Sequence, residues 1–378
     1  MMNKKGFTEH FFIIAGEVSG DIHGSKLISA IRKINRQSSF TGIGGDLMAS
    51  AGLQVRYHIK QMAFLGIGEI IRHLPFIRRV LNDVRLTLIK EKPRAVILID
   101  YPGFNLKVAR QAHNLGIPVI YYISPQLWAW GKRRVKKIRR YVSKMLVIFP
   151  FEVEFYARYQ IDATYVGHPL VDEFSQDIQV KKEKNRKCIL GLLPGSRIHE
   201  LNQLLPDMLQ TTRILKKEGC IDSAIIATVD NIPISIYEEF LQDQEAIELH
   251  KNDGDAFYSR LDIALVSSGT ATLETGYFQV PMVIVYRVNR LTWILGRLLV
   301  KLDFIGLANI VAGEKICPEL LQDDFTAQTA ALYLTDLLND QKNQEIRTKL
   351  AIIKEKLGPP GASARAAQEI VTFLSQQK

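Results

Sequence analysis

A chain of 378 residues that is 47% hydrophobic and 23% charged is a folded globular protein, long for one core and sufficient for two domains. Its three cysteines, Cys188, Cys220 and Cys317, are odd in number and scattered, which excludes a disulfide framework and a cysteine metal site and suits a reducing cytoplasm. The net charge of +10 attracts phosphate of any kind, in nucleic acid, an anionic membrane or a phosphorylated small molecule, without choosing among them.

The N-terminal apolar stretch is too short for a signal peptide and runs straight into Glu17 and Asp21. No run approaches the roughly 20 apolar residues needed to cross a bilayer. Phe11–Ala15 predicts a buried strand. The glycine-rich turn AGEVSGDIHGSK follows it and carries Glu17, Ser19, Asp21 and His23, of which Asp21 reads as a helix cap or turn residue. GIGGD at 42–46 lacks the third glycine of a dinucleotide fingerprint, and no P-loop occurs, so a dehydrogenase and a P-loop kinase are disfavoured. Met62–Arg85 mixes Phe64, Leu65, Ile67, Ile70, Ile71 and Phe76 with Arg72, Arg78 and Arg79. This mixture suits a helix lying on an anionic membrane and, equally, a core helix with snorkelling arginines. The strand predicted at Ala95–Asp100 aims Asp100 at the crevice beyond its carboxyl end, as a general base or a turn residue. Further strands are predicted at Val119–Ile123, Met145–Phe149 and Thr164–Val166. Between the first two of these, Gly131–Val142 (GKRRVKKIRRYV) reads either as an RNA contact or as a solvated helix face near a phosphate ligand.

The polar stretch Asp172–Lys187 separates this half from a second, setting domains at residues 1–175 and 185–378, the latter with the C-terminal helices. Strands are predicted at Cys188–Leu193, Ala224–Thr228, Ile247–His250, Ile263–Val266 and Met282–Tyr286. Continuous apolar strands alternating with helices specify parallel sheets covered on both faces: an α/β protein of two Rossmann-like, doubly wound domains facing a central cleft. After Leu193 come Gly195, Ser196 and Arg197, whose fixed planar charge suits a diphosphate; His199 and Glu200 read as solvated helix residues. After Val266 come Ser268, Gly269, Thr270, Ala271 and Thr272, small groups before bare helix amides that let a phosphate approach, with Glu274 placed to accept from a ribose diol. The side-chain half of a capping box is missing there, because the residue three before Glu274 is Ala271. The pair Asp253 and Asp255 reads as a cap or turn.

Nine motifs in order, AGEVSGDIHG, IDYPGFN, YYISPQLWAW, FPFEVEFY, VGHPLVDE, LLPGSRIHEL, SSGTATLE, VYRVN and LANIVAGEKICPELLQ, resemble the motif set of the lipid-A-disaccharide synthase family and cover about residues 12 to 325. The resemblance implies a GT-B glycosyltransferase of lipid A biosynthesis. Such an enzyme would join UDP-2,3-diacylglucosamine to 2,3-diacylglucosamine 1-phosphate (lipid X) through a β-1′,6 linkage and release UDP. It implies no metal or other cofactor, no nucleic-acid partner, a Gram-negative source, and a cytoplasmic protein held peripherally at the anionic surface of the inner membrane. A homodimer stays open. On matching positions it implies Asp100 as base, Glu17 and Ser19 at the reaction centre, Arg197 and Ser268–Thr272 on the diphosphate, Glu274 on the ribose and Asn309 closing the nucleotide pocket. Gly103, where an acidic residue is common, and SPQLW, in place of a smaller variant, depart from the pattern. The alternative is another UDP-sugar enzyme of the same fold, such as the lipid II N-acetylglucosaminyltransferase or an epimerase.

Overall fold

The computed structural model describes residues 9–62, 73–129, 131, 134–174, 188–241, 247–289, 293 and 303–377. They form two compact units, Met1–Asp172 with Pro359–Lys378, and Glu173–Gly358.

The first unit holds a seven-stranded sheet, β1 (His10–Ala15), β2 (Ser39–Gly44), β3 (Leu53–His58), β4 (Ala95–Ile99), β5 (Val119–Tyr122), β6 (Lys144–Val147) and β7 (Ala163–Tyr165). Its order is β3-β2-β1-β4-β5-β6-β7, and all neighbours run parallel. All five residues of β4, and Phe11–Ala15 of β1, are buried, as a sheet covered by helices on both faces demands. The covering helices are α1 (Val18–Ile34), α2 (Asp46–Ala51), α3 (Leu74–Glu91), α4 (Pro102–Asn114), α5 (Val135–Tyr141) and α6 (Pro150–Ala157). The second unit repeats the plan with β8 (Ile189–Leu193), β9 (Ser223–Thr228), β10 (Ile247–Lys251), β11 (Ile263–Ser267), β12 (Met282–Tyr286) and β13 (Glu319–Leu321), ordered β10-β9-β8-β11-β12-β13 and again all parallel. Its helices include α7 (Ile198–Lys217), α8 (Thr270–Tyr277), α9 (Leu307–Ala312), α10 (Ala327–Leu337) and α11 (Asp340–Leu357).

In each sheet the chain starts near the middle, winds out one way and then the other. The order therefore reverses between β1 and β4, and between β8 and β11. A crevice opens at the carboxyl ends of the strands flanking such a switch point, and there the loops of a doubly wound sheet bind ligands. The four exits from those strands, each with the start of the helix that follows, carry Glu17, Asp100, Arg197 and Ser268–Glu274.

Three strands lie outside the predicted set. β2 (SFTGIG) is rich in glycine and β13 has three residues, whereas β3, an edge strand, alternates buried and open positions and lacks the continuous apolar run of its neighbours. A second difference concerns the C-terminus. The sequence assigns residues 359–378 to the second domain, but they pack in the first unit. There the last helix, α12 (Ala362–Gln376), buries Ala362, Ala366, Ala367, Ile370 and Leu374. Asp172 accepts hydrogen bonds from the amides of Gly361 (2.5 Å) and Ala362, Arg365 donates to the Val166 carbonyl (2.8 Å), and Lys144 pairs with Glu369 at 3.1 Å. Linear order carries no sign that the chain returns in this way.

Candidate active site

In the first unit the site is built on strained strand exits. β4 ends in two consecutive left-handed residues, Asp100 (φ 42°) and Tyr101 (φ 46°), and β5 ends in Ile123 (φ 61°). Left-handed backbone is costly for a β-branched or bulky side chain, and it persists where the surroundings over-determine it. Here they do. The Asp100 carbonyl accepts hydrogen bonds from the Tyr121 hydroxyl (2.6 Å) and from Asn105 Nδ2 (2.8 Å), while Asn105 Nδ2 also donates to the Ile99 carbonyl (3.1 Å). Asn105 and Tyr121 are both buried, so this brace is rigid. Pro102 then starts α4 at once, its ring matched to the first helical turn.

The result is a carboxylate at the end of an apolar strand, in a place water reaches poorly. Burial, reinforced by the nearby charge of Glu17 and opposed by a hydrogen bond to the Tyr101 backbone, raises the Asp100 pKa from 3.8 to about 6. A carboxylate tuned upward in this way is a stronger base that is still ionised at neutral pH. Glu17 occupies the N-cap position of α1 without a side-chain capping bond, and it and Ser19, in the first turn, are exposed. Gly16 lets the two loops meet: a Cβ there would lie 2.3 Å from the Tyr101 ring. Asp21 does what its cap reading requires, accepting from the amides of Gly45 (2.7 Å), Leu47 and Met48 at the start of α2.

In the second unit, Gly195 adopts φ 112° and turns the chain from β8 into α7. Glu200 folds back under this turn, accepting from the Ser196 amide (2.9 Å) and pairing with the Arg197 guanidinium (2.8 Å). The expectation of a solvated Glu200 is thus corrected: its carboxylate is half-buried and holds Arg197 at the loop, itself 59% exposed. After β11, the Ser268 amide still bonds to the Val285 carbonyl and its hydroxyl donates to the Ile305 carbonyl (3.0 Å). The amides of Gly269, Thr270 and Ala271 open α8, where no intrahelical acceptor exists for them.

Thr272 does not present itself to a phosphate. It is fully buried, donating to the Gly269 carbonyl (2.8 Å) and accepting from the Ala308 amide (3.3 Å). The Asn309 side chain is also engaged within the fold. Its amide nitrogen donates to the Cys317 carbonyl (2.8 Å) and Glu319 (2.9 Å), and its oxygen accepts from the amides of Ile316 and Cys317. With both ends of its side chain engaged and no exposure, Asn309 ties α9 to the loop before β13.

Glu274, one turn into α8, is held by two residues that sequence reasoning missed. Its Oε2 accepts from Asn252 Nδ2 (2.7 Å) and from the Tyr258 hydroxyl (2.8 Å). Tyr258 stacks on Phe278 with centroids 4.7 Å apart. Burial raises the Glu274 pKa, the hydrogen bonds from Tyr258 and Asn252 lower it, and the charge of Glu173 raises it. The second oxygen, Oε1, accepts from no described residue. Asn252 adjoins the Asp253–Asp255 pair that drew attention as a turn; the signal lay one residue earlier. Asp255 starts a short helix, in keeping with the cap reading, and no metal-binding cluster of His, Cys, Asp and Glu occurs among the described residues.

Of the residues weighed for membrane contact, Phe64, Leu65, Ile67, Ile70, Ile71 and Arg72 lie outside the described residues. Arg78 and Arg79 are exposed on α3. Phe76 turns inward, meeting the Tyr57 ring edge-on at 6.2 Å and packing on the first unit's core, so its reading as a lipid contact is corrected. Among the described residues no helix is long and apolar enough to cross a membrane.

Two doubly wound parallel sheets in one chain are the architecture of the GT-B class, with Asp100 at the switch point of one sheet and Glu274 behind a helix mouth in the other. Solved structures agree in fold: the calicheamicin glycosyltransferase CalG4 matches with TM-score 0.61 at 15% identity, over 98% of this chain and 99% of its own. A family model described as lipid-A-disaccharide synthetase matches residues 11–370. The lipid-A-disaccharide synthase of Geobacter sulfurreducens is 39% identical over 98% of this chain and 99% of its own length, and that of Syntrophus aciditrophicus 37% identical over 96% and 97%. The chain belongs to the lipid-A-disaccharide synthase family.

Proposed function

We infer that this chain transfers the 2,3-diacylglucosaminyl group of UDP-2,3-diacylglucosamine to the 6-hydroxyl of 2,3-diacylglucosamine 1-phosphate, giving the β-1′,6-linked disaccharide 1-phosphate and UDP. Family membership along the full chain supports the reaction, and the observation that carries the mechanism is the raised, braced carboxylate of Asp100. In this reading the acceptor O6 attacks the donor anomeric carbon as its proton passes to Asp100, and the bond from that carbon to the diphosphate oxygen breaks. A general base contributes about 10²–10⁴-fold. Charge on the departing diphosphate is met in the second unit by the amides of Gly269, Thr270 and Ala271 and by Arg197, which exchanges Glu200 for the diphosphate. Gly195 and Ser196 shape that loop, and Glu274 Oε1 accepts from the ribose.

Attachment to an anionic membrane surface is part of the reading. The open face of α3 combines Arg78, Arg79 and Arg85 with Leu86 (57% exposed) and Ile89 (44%), which suits a helix at a lipid interface. Charge reversal at Arg78 and Arg79 is expected to lower binding to phosphatidylglycerol vesicles, and unchanged partitioning would remove this part of the reading. The reaction is tested by incubating purified protein with synthetic donor and acceptor and following products by mass spectrometry. Disaccharide and UDP in equal amounts are expected; UDP released without disaccharide, or an epimerised donor, would refute it.

A further inference from the structure

A cavity of about 500 Å³ opens in the first unit beside α4, and its wall is cationic in an organised way. Lys107 and Arg110 sit at i and i+3 on α4, and Arg134 and Lys137 at i and i+3 on and just before α5, so each helix presents a pair of like charges from one face. Among the described residues no acidic residue lines the cavity, and Lys107, Arg110 and Lys137 form no ion pair. Lys107, Arg110 and Lys137, gathered round one small volume, repel each other unless an anion joins them. The remaining wall is mixed. Leu81, Leu106 and Tyr141 are apolar surface, and Gln111 Oε1 is buried with no hydrogen-bond partner among the described residues.

One end of the cavity lies next to the Asp100 exit along the chain. Pro102 and Gly103, directly after Asp100 and Tyr101, form one end of it. Lys107 lies five residues further along α4, about 7.5 Å at 1.5 Å per residue, which is comparable to the span of one hexose ring. Arg134 acts electrostatically on the Tyr121 hydroxyl, the group that braces the Asp100 carbonyl. A hydroxyl presented to Asp100 at one end of a sugar would thus leave the far end of that sugar among the cations.

We propose that the cavity lined by Lys107, Arg110, Arg134 and Lys137 is the acceptor subsite for a sugar phosphomonoester, gripping the anomeric phosphate while the apolar wall receives the start of an acyl chain. The proposal deepens the reaction inferred above and rests on it for the identity of the acceptor. It makes these four residues the reason for preferring a phosphorylated acceptor. The same basic wall could otherwise serve phosphate in lipid headgroups, and the experiment separates the two sources.

The test uses the full chain and the variants Arg110→Ala and Lys137→Ala, both exposed positions whose replacement leaves the core intact. Calorimetric titration with glucosamine 1-phosphate, which has no acyl chains, is expected to show saturable binding by the unaltered protein, weakened roughly tenfold or more by each variant. With synthetic donor, the preference for a 1-phosphate acceptor over its 1-hydroxyl counterpart is expected to fall by a similar factor. Absence of saturable glucosamine 1-phosphate binding, or binding that both variants leave unchanged, overturns the subsite. So does loss of binding to phosphatidylglycerol vesicles in the variants with acceptor preference intact, which would assign the cations to membrane lipid. If the unaltered protein binds glucosamine 1-phosphate through these residues yet makes no disaccharide, the subsite stands and the inferred reaction fails.

Discussion

Replacing Asp100 by Asn separates the residue's chemical role from its structural cost. Asn is the informative choice because it tolerates left-handed backbone better than most residues, so φ 42° adds little strain, and it nearly preserves volume. Activity is expected to fall about 10²–10⁴-fold, the usual worth of a general base. Stability should change in the opposite direction. A pKa raised from 3.8 to about 6 means that folding disfavours the ionised carboxylate, and at about 1.36 kcal/mol per unit this amounts to ~3 kcal/mol. The sign follows from proton linkage. Between pH 4 and 6 the folded state holds a proton that the unfolded state has lost, so stability falls as pH rises through that window and stays lower above it. The variant has no proton to lose. Partial access of water to this site makes ~3 kcal/mol an upper bound, and about 1–2 kcal/mol, or roughly 3–6 °C in Tm, is the expected gain at pH 8. At pH 4 the gain should vanish. The assay is thermal unfolding of both proteins across pH, alongside turnover of synthetic substrates. A variant less stable than the parent at pH 8, or a stability difference that does not vary with pH, would refute the claim that Asp100 is held ionised at a cost.

Glu17→Gln removes a charge that raises the Asp100 pKa, so the acid limb of the kcat/KM profile, expected near pH 6, should move to lower pH; a shift to higher pH contradicts the assignment. Glu274→Ala should weaken UDP binding roughly tenfold or more while affecting 2′-deoxy-UDP much less, as isothermal titration can show. Tyr258→Phe, which removes one of the two donors to Glu274, should give a smaller loss in the same assay. Asn309→Ala leaves the buried amides of Ile316 and Cys317 without an acceptor and is expected to cost about 2–4 kcal/mol of stability, with UDP affinity retained by whatever remains folded; selective loss of UDP binding would restore Asn309 to the nucleotide pocket.

Much of the fold was legible because parallel strands buried on both faces leave unbroken apolar runs, and those at Phe11–Ala15, Ala95–Ile99 and Ile263–Val266 became central strands. β2 and β3 were not, since glycine and edge exposure erase that signature. The positions of Asp100 and Arg197 on strand-exit loops, and of Glu274 one turn into the helix after β11, were legible from spacing. Their supports were not. Asn105 and Tyr121 reach Asp100 across α4 and β5, and Asn252 and Tyr258 reach Glu274 from 22 and 16 residues away in sequence, where no local periodicity points to them. Thr272 and Asn309 show the converse. A hydroxyl or amide in the right motif can face inward and hold a loop together, and hydrogen-bond partners settle which way it turns.

A crystal structure of the chain with UDP tests most directly where the leaving group is held. The diphosphate is expected on the amides of Gly269, Thr270 and Ala271, with the Arg197 guanidinium turned from Glu200 to meet it and a ribose hydroxyl donating to Glu274 Oε1. UDP bound away from these residues, or a ribose that leaves Glu274 untouched, would contradict the account.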